Sequence, residues 1–348
     1  MKLFKEKPYQ CPLPPSPLLE QVSPSPVLPQ PKVCVIGAGY WGKNLIRNFY
    51  TLGALAMVCD ARPEVLAQVA TDYPGTHTYP DLATALAEGH TLGVSSMVIA
   101  TPSITHASVG TQALEAGYHV YIEKPLATTL ADAEALVALA KHKQLKLMVG
   151  HLLMYHPAVV RIKEVVSSGR LGTLRFIQSD RLNYNAGRAD RNALWDLAVH
   201  DLAMLQCILP DNTMHVQAAS GIASGLHQRD TKVDMVQATF QYQPSGLQAM
   251  LQCSWLYPIK QVRFMVVGDE ASVVLDDTLP MEQRLALHTR QPDGSVAIEP
   301  LPYLPLEPLK LECQHWLNCL RHNEQDPQSN HTNALAVVRL LEEIQAKF

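Results

Sequence analysis

The segment LWDLAVHDLAML, residues 194–205, places two side chains that could move a proton four residues apart. In an α-helix, Asp196 and His200 would lie on one side, about 40° apart around the axis. A histidine titrates near neutral pH, and a carboxylate one turn away can fix its tautomer, so the pair could act as a general base. The pair could equally form the solvated edge of a packed helix. Asp201 is unusual, because it falls inside the apolar stripe formed by Leu194, Leu197, Ala198, Leu205 and Ile208.

A glycine-rich turn follows the first apolar strand and opens a helix. The sequence VCVIGAGYWGKN contains Gly37, Gly39 and Gly42 in the spacing G-x-G-x-x-G. In this context the first glycine permits a tight turn, the second lets the backbone approach a pyrophosphate, and the third allows the helix to pack on the strand. The amino terminus of the helix adds N–H donors and positive potential for phosphates. The motif therefore predicts a dinucleotide-binding site.

The residue that ends the second strand bears on the choice between NAD and NADP. Asp60 lies 18 residues beyond Gly42, where a carboxylate would accept hydrogen bonds from both ribose hydroxyls and would repel a 2′-phosphate. Arg62 argues in the other direction, because it could pair with a 2′-phosphate, or it could stack on the adenine. We expect NAD as the cofactor.

The order of elements predicts the fold class. Apolar strands alternate with helices from residue 33 to about residue 150, which indicates a doubly wound parallel sheet. A helix at 156–167 and several longer strands with turn signals such as QPSG follow, which predicts an α+β domain with an open, mostly antiparallel sheet. We expect the segment 278–308 to be irregular. The expected fold is thus α/β with a second, α+β domain.

The same reading divides the chain into four parts. We expect a proline-rich extended arm at 1–31, an NAD-binding Rossmann domain at 32–150, a substrate and oligomerisation domain at 151–332, and a C-terminal helix at 333–348 that packs back on the Rossmann domain. The arm contains nine prolines. It is either a floppy tail or a segment that lies across a neighbouring subunit.

Composition argues against several classes of protein. The 348 residues are 47% hydrophobic and 17% charged, with a net charge of −4, so neither a nucleic acid nor a membrane is an expected partner. No apolar run is long enough to span a bilayer. The seven cysteines form no CxxC pair, which indicates a reducing, cytoplasmic setting. The 14 histidines show no HExxH spacing, so we expect no metal site.

Three further motifs, taken with the glycine turn, resemble those of one enzyme family. ATPSITH (100–106) ends a strand, AGYHVYIEKPLA (116–127) contains Glu123-Lys124-Pro125, and WDLAVH contains a D-x-x-x-H pair. Together they resemble the glucose–fructose oxidoreductase/inositol dehydrogenase (Gfo/Idh/MocA) family of NAD(P)-dependent oxidoreductases, from about residue 32 to the C-terminus. The resemblance implies a Rossmann domain, a second domain with an open sheet, and a cis peptide bond before Pro125.

The resemblance also implies which side chains act. It places Lys124, Asp196 and His200 beside the nicotinamide and the reacting carbon. We assign His200 as the base, Asp196 as the residue that orients it, and Lys124 as the group that polarises the substrate oxygen, with Lys124 as the alternative base. Many members carry an acid three residues after the histidine, where this chain has Ala203, so the role of Asp201 stays open: it could be a buried polar residue bound to a helix amino terminus or to an arginine. The expected cofactor-binding residues are Gly37, Gly39, Tyr40, Trp41, Gly42, Asp60, Arg62, Thr101, Pro102, His106, Glu123 and Lys124.

A narrower resemblance concerns the branch of the family that oxidises nucleotide sugars at C3. It is carried by GYWGKNLIRNFYTLGALAMVCD, VGHLLMYHPAV and SDRLNYNAGRADRNALWDLAVHDLAML. It implies that the substrate is a UDP-sugar, UDP-N-acetylglucosamine, and that an aminotransferase converts the 3-keto product into 3-amino sugars of lipid A or surface polysaccharide. The expected substrate-binding residues are Lys124, His151, Tyr155, Arg181, Asn183, Arg188, Trp195, Asp196 and His200.

Open sheet faces usually pair with another subunit, so we also expect a homo-oligomer, a tetramer formed through the sheet of residues 235–275. Three alternatives concern the function. The substrate could be the C6-carboxylated sugar UDP-N-acetylglucosaminuronate. The enzyme could instead oxidise a cyclitol or a free sugar, or the chain could be a non-catalytic NAD-binding regulator. The arginines near the catalytic helix could bind a diphosphate, or they could form a solvated basic loop.

Overall fold

The structure is a computed structural model that describes residues 29–184, 192–210, 213–224, 233–322 and 328–348. The expected proline-rich arm lies outside the described residues, apart from residues 29–31. Arg188 lies outside them as well. Within the described ranges, no helix combines the length and the apolar composition that crossing a bilayer requires.

A six-stranded parallel sheet forms the N-terminal part of the molecule, as the alternating pattern predicts. Its strands are β1 Lys32–Ile36, β2 Leu55–Cys59, β3 His77–Tyr79, β4 Val94–Ile99, β5 His119–Glu123 and β6 Leu147–Gly150. They lie in the order β3-β2-β1-β4-β5-β6. The strand order therefore reverses between β1 and β4, and open α/β sheets bind ligands at the carboxyl ends of the strands beside such a reversal.

Helices connect these strands on both faces of the sheet. They are α1 Gly42–Thr51, α2 Pro63–Asp72, α3 Leu82–Thr91, α4 His106–Glu115 and α5 Leu130–His142. Short turns lead from the strands into the helices, so the first residues of α1 and α4 lie at the carboxyl edge of the sheet. This edge is the place where the candidate site forms.

An eight-stranded sheet forms the second part. Its strands are β7 Leu174–Tyr184, β8 Thr213–Ile222, β9 Met235–Gln243, β10 Gln248–Ser254, β11 Leu256–Gly268, β12 Ala271–Asp276, β13 Leu285–Arg290 and β14 Val296–Pro300. The order is β14-β13-β12-β11-β7-β10-β9-β8. All neighbours are antiparallel except β7 and β10, which run parallel. The expected open, mostly antiparallel sheet is confirmed.

Alternation along the strands gives this sheet one buried face. A row of mutually paired residues crosses six strands, and each of its members is at most 4% exposed: Phe240, Ala249, Ile177, Val266, Val273 and Leu287. Two helices, α6 Pro157–Ser167 and α7 Val199–Ile208, pack on this face. The neighbouring row, which includes Gln178, Met250 and Met265, lies on the opposite face. Met250 is 42% exposed.

The segment 278–308, which we expected to be irregular, contains the hairpin of β13 and β14. The prolines suggested a loop, but Pro292 lies in the turn and Pro300 at the end of an edge strand, where the missing N–H groups do not interrupt the sheet. The turn is closed by Asp293, whose carboxylate accepts the backbone N–H of Ser295 at 2.9 Å. Strand β8 was also not predicted from the sequence.

The two C-terminal helices, α8 Pro308–Arg321 and α9 His331–Gln345, return to the parallel sheet. The indole N–H of Trp316 on α8 donates to Ser96 Oγ on β4 at 3.0 Å. On α9, the carboxylate of Glu342 accepts the backbone N–H of Leu130 at 2.7 Å. One continuous apolar core includes residues of both sheets and of these helices, so the two sheets are joined by packed side chains.

Candidate active site

The glycine turn after β1 has the properties that its motif requires. Gly37 has a φ of +94°, and a Cβ there would lie 2.8 Å from the carbonyl oxygen of Ala100. A Cβ on Gly42 would overlap the carbonyl oxygen of Gly37, so only glycine lets α1 pack this closely. A Cβ on Gly39, by contrast, would have no atom of another part of the described chain within 4 Å. The turn is therefore closed where helix and strand meet, and open where a pyrophosphate would approach the backbone.

Asp60 follows β2 and is already hydrogen-bonded. Its carboxylate accepts the backbone N–H of Ala38 at 2.7 Å, and Nε and Nη2 of Arg62, each at 2.8 Å. The guanidinium of Arg62 is the main reason why the pKa of Asp60 falls to about 2, so this carboxylate stays ionised. Ribose hydroxyls and Arg62 would compete for the same two oxygens. The expected preference for NAD over NADP stays a prediction.

The lysine of the E-K-P motif meets the D-x-x-x-H motif although they lie 72 residues apart. Lys124 follows β5, and the bond to Pro125 is cis, as the family resemblance implies. Its Nζ donates to the backbone carbonyl oxygen of Asp196 at 3.0 Å and lies 3.9 Å from Oδ1 of that residue. Both side chains are mostly buried. His200 is half-buried in the adjoining first turn of α7.

The helix that carries Asp196 begins with a π-helical turn, where the sequence predicts a regular α-helix. The turn covers Leu194–Ala198, and α7 continues from it. A π turn holds more residues than an α turn, so the expected angle of about 40° between Asp196 and His200 does not apply. Such turns are frequent at functional sites. Here the turn contains the carbonyl group that Lys124 binds.

Asp201 is bound by two side chains of β7, the strand on which α7 packs. Its Oδ1 accepts a hydrogen bond from Ser179 Oγ at 2.7 Å, and its Oδ2 accepts one from Nε of Arg181 at 2.6 Å. Nη2 of Arg181 completes a bidentate pair at 3.1 Å. The Asp201 side chain is 2% exposed. A carboxylate can occupy an apolar stripe when a guanidinium neutralises it in this geometry, so Asp201 fastens the helix to the sheet.

This pair changes the interpretation of Arg181. We expected its guanidinium to bind the substrate diphosphate, but Nε and Nη2 are both directed at Asp201. The geometry favours a structural role, and a contact with substrate stays a prediction. Of the other expected groups, Asn183 is half-buried near the end of β7. Arg188 and Arg191 lie outside the described residues.

His151 follows β6 and is buried close to Lys124. Burial, with a smaller contribution from the Lys124 charge, lowers the pKa of His151 to about 3, so its imidazole is neutral. Neither ring nitrogen has a hydrogen-bond partner among the described residues. A buried polar group without a partner is costly. A substrate hydroxyl or a water molecule at this position would remove that cost.

Two other expected substrate residues contact the C-terminal elements instead. The hydroxyl group of Tyr155 lies 3.0 Å from Ser329 Oγ, and its ring is buried. The indole N–H of Trp195 donates to the side chain of Gln345 on α9. The turn before α9 and α9 itself therefore contact the segment after β6 and the π turn before α7.

The glycine turn is tied to the E-K-P motif by a tryptophan. Trp41 precedes α1, and its indole N–H donates to Oε1 of Glu123 at 2.6 Å. The backbone N–H of Lys124 lies 3.3 Å from the other carboxylate oxygen. Burial raises the pKa of Glu123 to about 7. Tyr40, by contrast, is 90% exposed at the tip of the turn.

His106 connects β4 with the cis proline. Its Nδ1 lies 2.7 Å from the carbonyl oxygen of Pro125, and its Nε2 lies 2.9 Å from the carbonyl oxygen of Thr101. The hydroxyl of Thr101 accepts a hydrogen bond from Thr105 at 2.8 Å, in the single 3₁₀ turn that follows Pro102. His106 thus holds the backbone at both ends of this segment, and its expected contact with the cofactor stays a prediction.

Several buried acids were not predicted from the sequence, and Glu312 on α8 is the most completely buried of them. A signal was present: in LKLECQHWLNCL, Glu312 is three residues after Leu309 and four before Trp316, within the apolar stripe of the helix. Asp201 shows the same pattern on α7. The structure confirms that the side chain of Glu312 is fully buried.

Comparison with family models gives two matches. Residues 31–151 match the oxidoreductase family model for an NAD-binding Rossmann fold, and residues 159–274 match the GFO/IDH/MocA C-terminal domain. The first match includes the glycine turn and Lys124, and the second includes Asp196 and His200. The N-terminal domain is therefore an NAD-binding Rossmann domain.

Individual relatives are more distant. UDP-N-acetylglucosamine 3-dehydrogenase of Acidithiobacillus ferrooxidans is 29% identical over 197 residues, which span 56% of this chain and 59% of that enzyme. D-Apiose dehydrogenase of Paraburkholderia graminis is 26% identical over 337 residues, which span 89% of this chain and 86% of that enzyme. The first alignment therefore covers less than two thirds of its relative.

Solved structures agree on the fold. The Acidithiobacillus enzyme superposes with a TM-score of 0.77 at 23% identity, covering 91% of this chain and 97% of that one. An oxidoreductase from Magnetospirillum magnetotacticum gives a TM-score of 0.77 at 28% identity, covering 90% and 99%. At 23% identity, the superposition on the Acidithiobacillus enzyme shows a shared fold and nothing more.

The Asp201–Arg181 pair can be tested by removing its partners. We expect Asp201→Ala to lower the free energy of unfolding by about 3–5 kcal/mol, because Arg181 would stay buried without its counter-ion. Replacing both residues, Asp201→Leu with Arg181→Met, should recover most of this loss. Glu299→Ala, which breaks an exposed ion pair with Arg170, is the control and should cost less than about 1 kcal/mol. Urea unfolding measures all three, and equal effects of Asp201→Ala and Glu299→Ala would contradict the structural role.

Proposed function

The chain belongs to the Gfo/Idh/MocA family of oxidoreductases, and on this basis we propose that it oxidises the C3 hydroxyl group of UDP-N-acetylglucosamine to a ketone with NAD. The observation that carries the proposal is the contact of Lys124 with Asp196 at the carboxyl edge of the cofactor sheet. His200 lies in the adjoining turn. The similarity to the Acidithiobacillus 3-dehydrogenase supports the choice of substrate.

Oxidation of a secondary alcohol needs a base for the hydroxyl proton and an acceptor for the hydride. NAD, when bound, accepts the hydride from C3. His200 takes the hydroxyl proton, and Asp196 stabilises the imidazolium that results. Lys124 donates a hydrogen bond to the same oxygen and polarises the carbonyl group as it forms. Lys124 is the alternative base.

The residues of the first domain fit the dinucleotide. The open space in front of Gly39 and the amino terminus of α1 suit the pyrophosphate. The Asp60 carboxylate can bind the adenosine ribose if the guanidinium of Arg62 moves away, or if both groups bind to it at the same time. Thr101 and Pro102 follow β4, and His106 begins α4, on the other side of the point where the strand order reverses. These assignments are part of the proposal.

The sugar would lie between Lys124 and the neutral imidazole of His151. His151 has two ring nitrogens without partners among the described residues, and a sugar hydroxyl can bind to either kind of nitrogen that a neutral imidazole carries. We assign the diphosphate and the uracil to Asn183 and to Arg188 of the following segment. The product, a 3-keto nucleotide sugar, would serve an aminotransferase in the synthesis of 3-amino sugars.

Two alternative functions would use the same catalytic residues, Lys124, Asp196 and His200, and a third would not use them. The D-apiose enzyme aligns over most of the chain, which favours a free-sugar dehydrogenase as the second candidate. UDP-N-acetylglucosaminuronate is the closest chemical variant of the proposed substrate, since it differs only at C6. A non-catalytic NAD-binding regulator would have no need of the Lys124–Asp196 contact.

We also propose that the chain forms a tetramer through the outer face of the second sheet. Apolar side chains on or beside that face stay exposed in the single chain, among them Met250 (42%) and Ile259 (73%). An open sheet face of this kind usually pairs with another subunit. The proposed interface includes β9, β10 and β11.

A substrate panel tests the function. We expect NADH absorbance to rise with NAD and UDP-N-acetylglucosamine, and to rise much less with its uronate, with D-apiose or with myo-inositol. Because a tightly held NADH would limit turnover, each assay is repeated with 2-oxoglutarate as an acceptor that could reoxidise it. A rise with a free sugar or cyclitol and none with the UDP-sugars would contradict the proposed substrate. No rise with any alcohol would support the regulator.

Two substitutions test the catalytic roles. We expect Lys124→Ala and His200→Ala each to lower kcat by at least about 10²-fold, because each removes a group that handles the reacting oxygen. Urea unfolding with a midpoint close to that of the wild type shows that both variants fold, and NAD binding, measured by calorimetry, should persist in His200→Ala. Lys141→Ala and His142→Ala remove exposed side chains on α5, away from the proposed site, and serve as controls. Turnover near that of the wild type in His200→Ala would move the role of base to Lys124.

Multi-angle light scattering tests the assembly. We expect a tetramer for the wild type and smaller species for Met250→Lys with Ile259→Lys, because both changes bury charge in the proposed interface. Leu304→Lys, at a position of similar exposure (39%) outside the sheet, should stay tetrameric. A wild-type monomer at micromolar concentration would contradict the proposal.

A further inference from the structure

The carboxylate of Glu123 joins two turns at the carboxyl edge of the parallel sheet. Its Oε1 accepts the indole N–H of Trp41 at 2.6 Å, and its Oε2 accepts the backbone N–H of Lys124 at 3.3 Å. Trp41 belongs to the glycine turn after β1, whereas Lys124 follows β5. Strand β4 lies between β1 and β5 in the sheet. One side chain therefore connects two segments that are a full strand apart.

The hydrogen bonds between β1, β4 and β5 end before these turns. Strand β1 ends at Ile36, and Trp41 lies beyond it. The pairing of β5 with β4 ends at Ile122, the residue before Glu123. Contacts of side chains therefore contribute to the position of one turn relative to the other, and the Glu123 carboxylate is the contact that reaches both.

The strand on the other side of β5 leaves room for this carboxylate. Gly150 ends β6 and pairs with Glu123, and a Cβ on Gly150 would lie 2.9 Å from Oε2 and 3.0 Å from Oε1 of Glu123. Non-bonded heavy atoms pack at about 3.5–4.0 Å, so a side chain at position 150 would displace the carboxylate from its two donors. Glu123 is 8% exposed, and a carboxylate this buried depends on the donors that it has.

We propose that Glu123 and Trp41 are positioning residues, which fix Lys124 relative to the dinucleotide bound at the glycine turn. The inference rests on the proposed function, because it takes the turn to bind the pyrophosphate and Lys124 to act on the reacting oxygen. Trp41 acts through Glu123, and Glu123 acts through the backbone N–H of Lys124. Neither positioning side chain needs to touch the substrate.

Hydride transfer requires this separation to be well defined. The dinucleotide would be bound by the turn after β1, and the substrate oxygen by Lys124 after β5. A misplacement of the reacting groups by about 1 Å can lower the rate by about 10²-fold. The pyrophosphate contacts of the glycine turn, by contrast, do not involve Lys124. Loss of the bridge through Glu123 should therefore lower kcat more than it weakens NAD binding.

The first test follows the backbone N–H of Lys124 by NMR, without any ligand. The sequence contains two Glu-Lys pairs, at 6–7 and 123–124, so labelling with ¹³C-carbonyl glutamate and ¹⁵N-lysine selects two amide signals. Lys124→Arg removes one of them and thereby assigns it. We expect the Lys124 signal to move in Trp41→Phe, which keeps an aromatic ring but loses the N–H donor. It should also move in Gly150→Ala, which displaces the carboxylate and changes none of the three bridged residues.

Trp316→Phe is the matched control. It also removes an indole N–H that donates to a side-chain oxygen, Ser96 Oγ at 3.0 Å, but this hydrogen bond lies outside the two turns. The Lys124 signal should keep its position in this variant. A Lys124 signal that does not move in Trp41→Phe, or that moves equally in Trp316→Phe, would overturn the proposal.

The second test separates catalysis from cofactor affinity. With the alcohol that the substrate panel identifies, we expect Trp41→Phe to lower kcat by about tenfold and to weaken NAD binding, measured by calorimetry, by less than about threefold. Glu123→Gln has one acceptor oxygen in place of two and can bind only one of the two donors, so it should show the same split. The double variant should lose no more than either single variant, because both break one bridge. Trp316→Phe should keep both the kcat and the affinity.

A merely structural role would not produce this split between kcat and affinity. Equal losses of both in Trp41→Phe, or losses that add in the double variant, would overturn the proposal. Urea unfolding identifies a variant that does not fold, and Gly150→Ala then takes its place. If no alcohol is oxidised, the proposed function fails, but the NMR test involves no substrate and still decides whether the bridge fixes Lys124.

Discussion

The hydrogen bond from the Lys124 ammonium group to the Asp196 carbonyl oxygen is the contact on which the site depends. It joins the carboxyl edge of the parallel sheet to the π turn before α7, and it brings Lys124 to the helix that carries Asp196 and His200, the two residues that we propose act with it. Other contacts fix the backbone on each side of this hydrogen bond. The backbone at Pro125 is fixed by His106, and α7 is fixed by the Asp201–Arg181 pair. Neither support needs to touch the substrate.

Three buried acids show how the chain tolerates carboxyl groups in apolar surroundings. Asp60 and Asp201 each lie in a bidentate contact with an arginine, which offsets the cost of removing a carboxylate from water. Glu312 has no such partner among the described residues, and burial raises the pKa of its carboxyl group well above the usual range. The difference matters, because an ion pair with an arginine keeps its charge and geometry over a wide pH range, whereas an acid with a raised pKa does not.

Local patterns predicted the parallel sheet and the glycine turn, because strand periodicity and glycine spacing are properties of short segments. Those patterns did not predict that Lys124 lies close to Asp196, which only the family resemblance implied. They could not predict partners that come from distant segments, such as Arg181 for Asp201 or Glu123 for Trp41. The hairpin of β13 and β14 was missed because its prolines lie at turn and edge positions, which sequence alone does not distinguish from a loop. The π turn left no signal in the apolar periodicity.

Glu123 and Lys124 of the E-K-P motif make different contacts, because successive residues at the end of a strand point in opposite directions. Glu123 faces the interior, where it contacts Trp41 and lies close to α8, and Lys124 faces the helix that carries Asp196. A shift of one residue in the register of β5 would exchange the two environments. It would bury the ammonium group among acids and place the carboxylate where Lys124 now meets Asp196. The pairing of β5 with β4 and β6 therefore determines both the side chain that contacts Asp196 and the side chain that binds Trp41, so the glycine turn and the proposed catalytic group depend on the register of one strand.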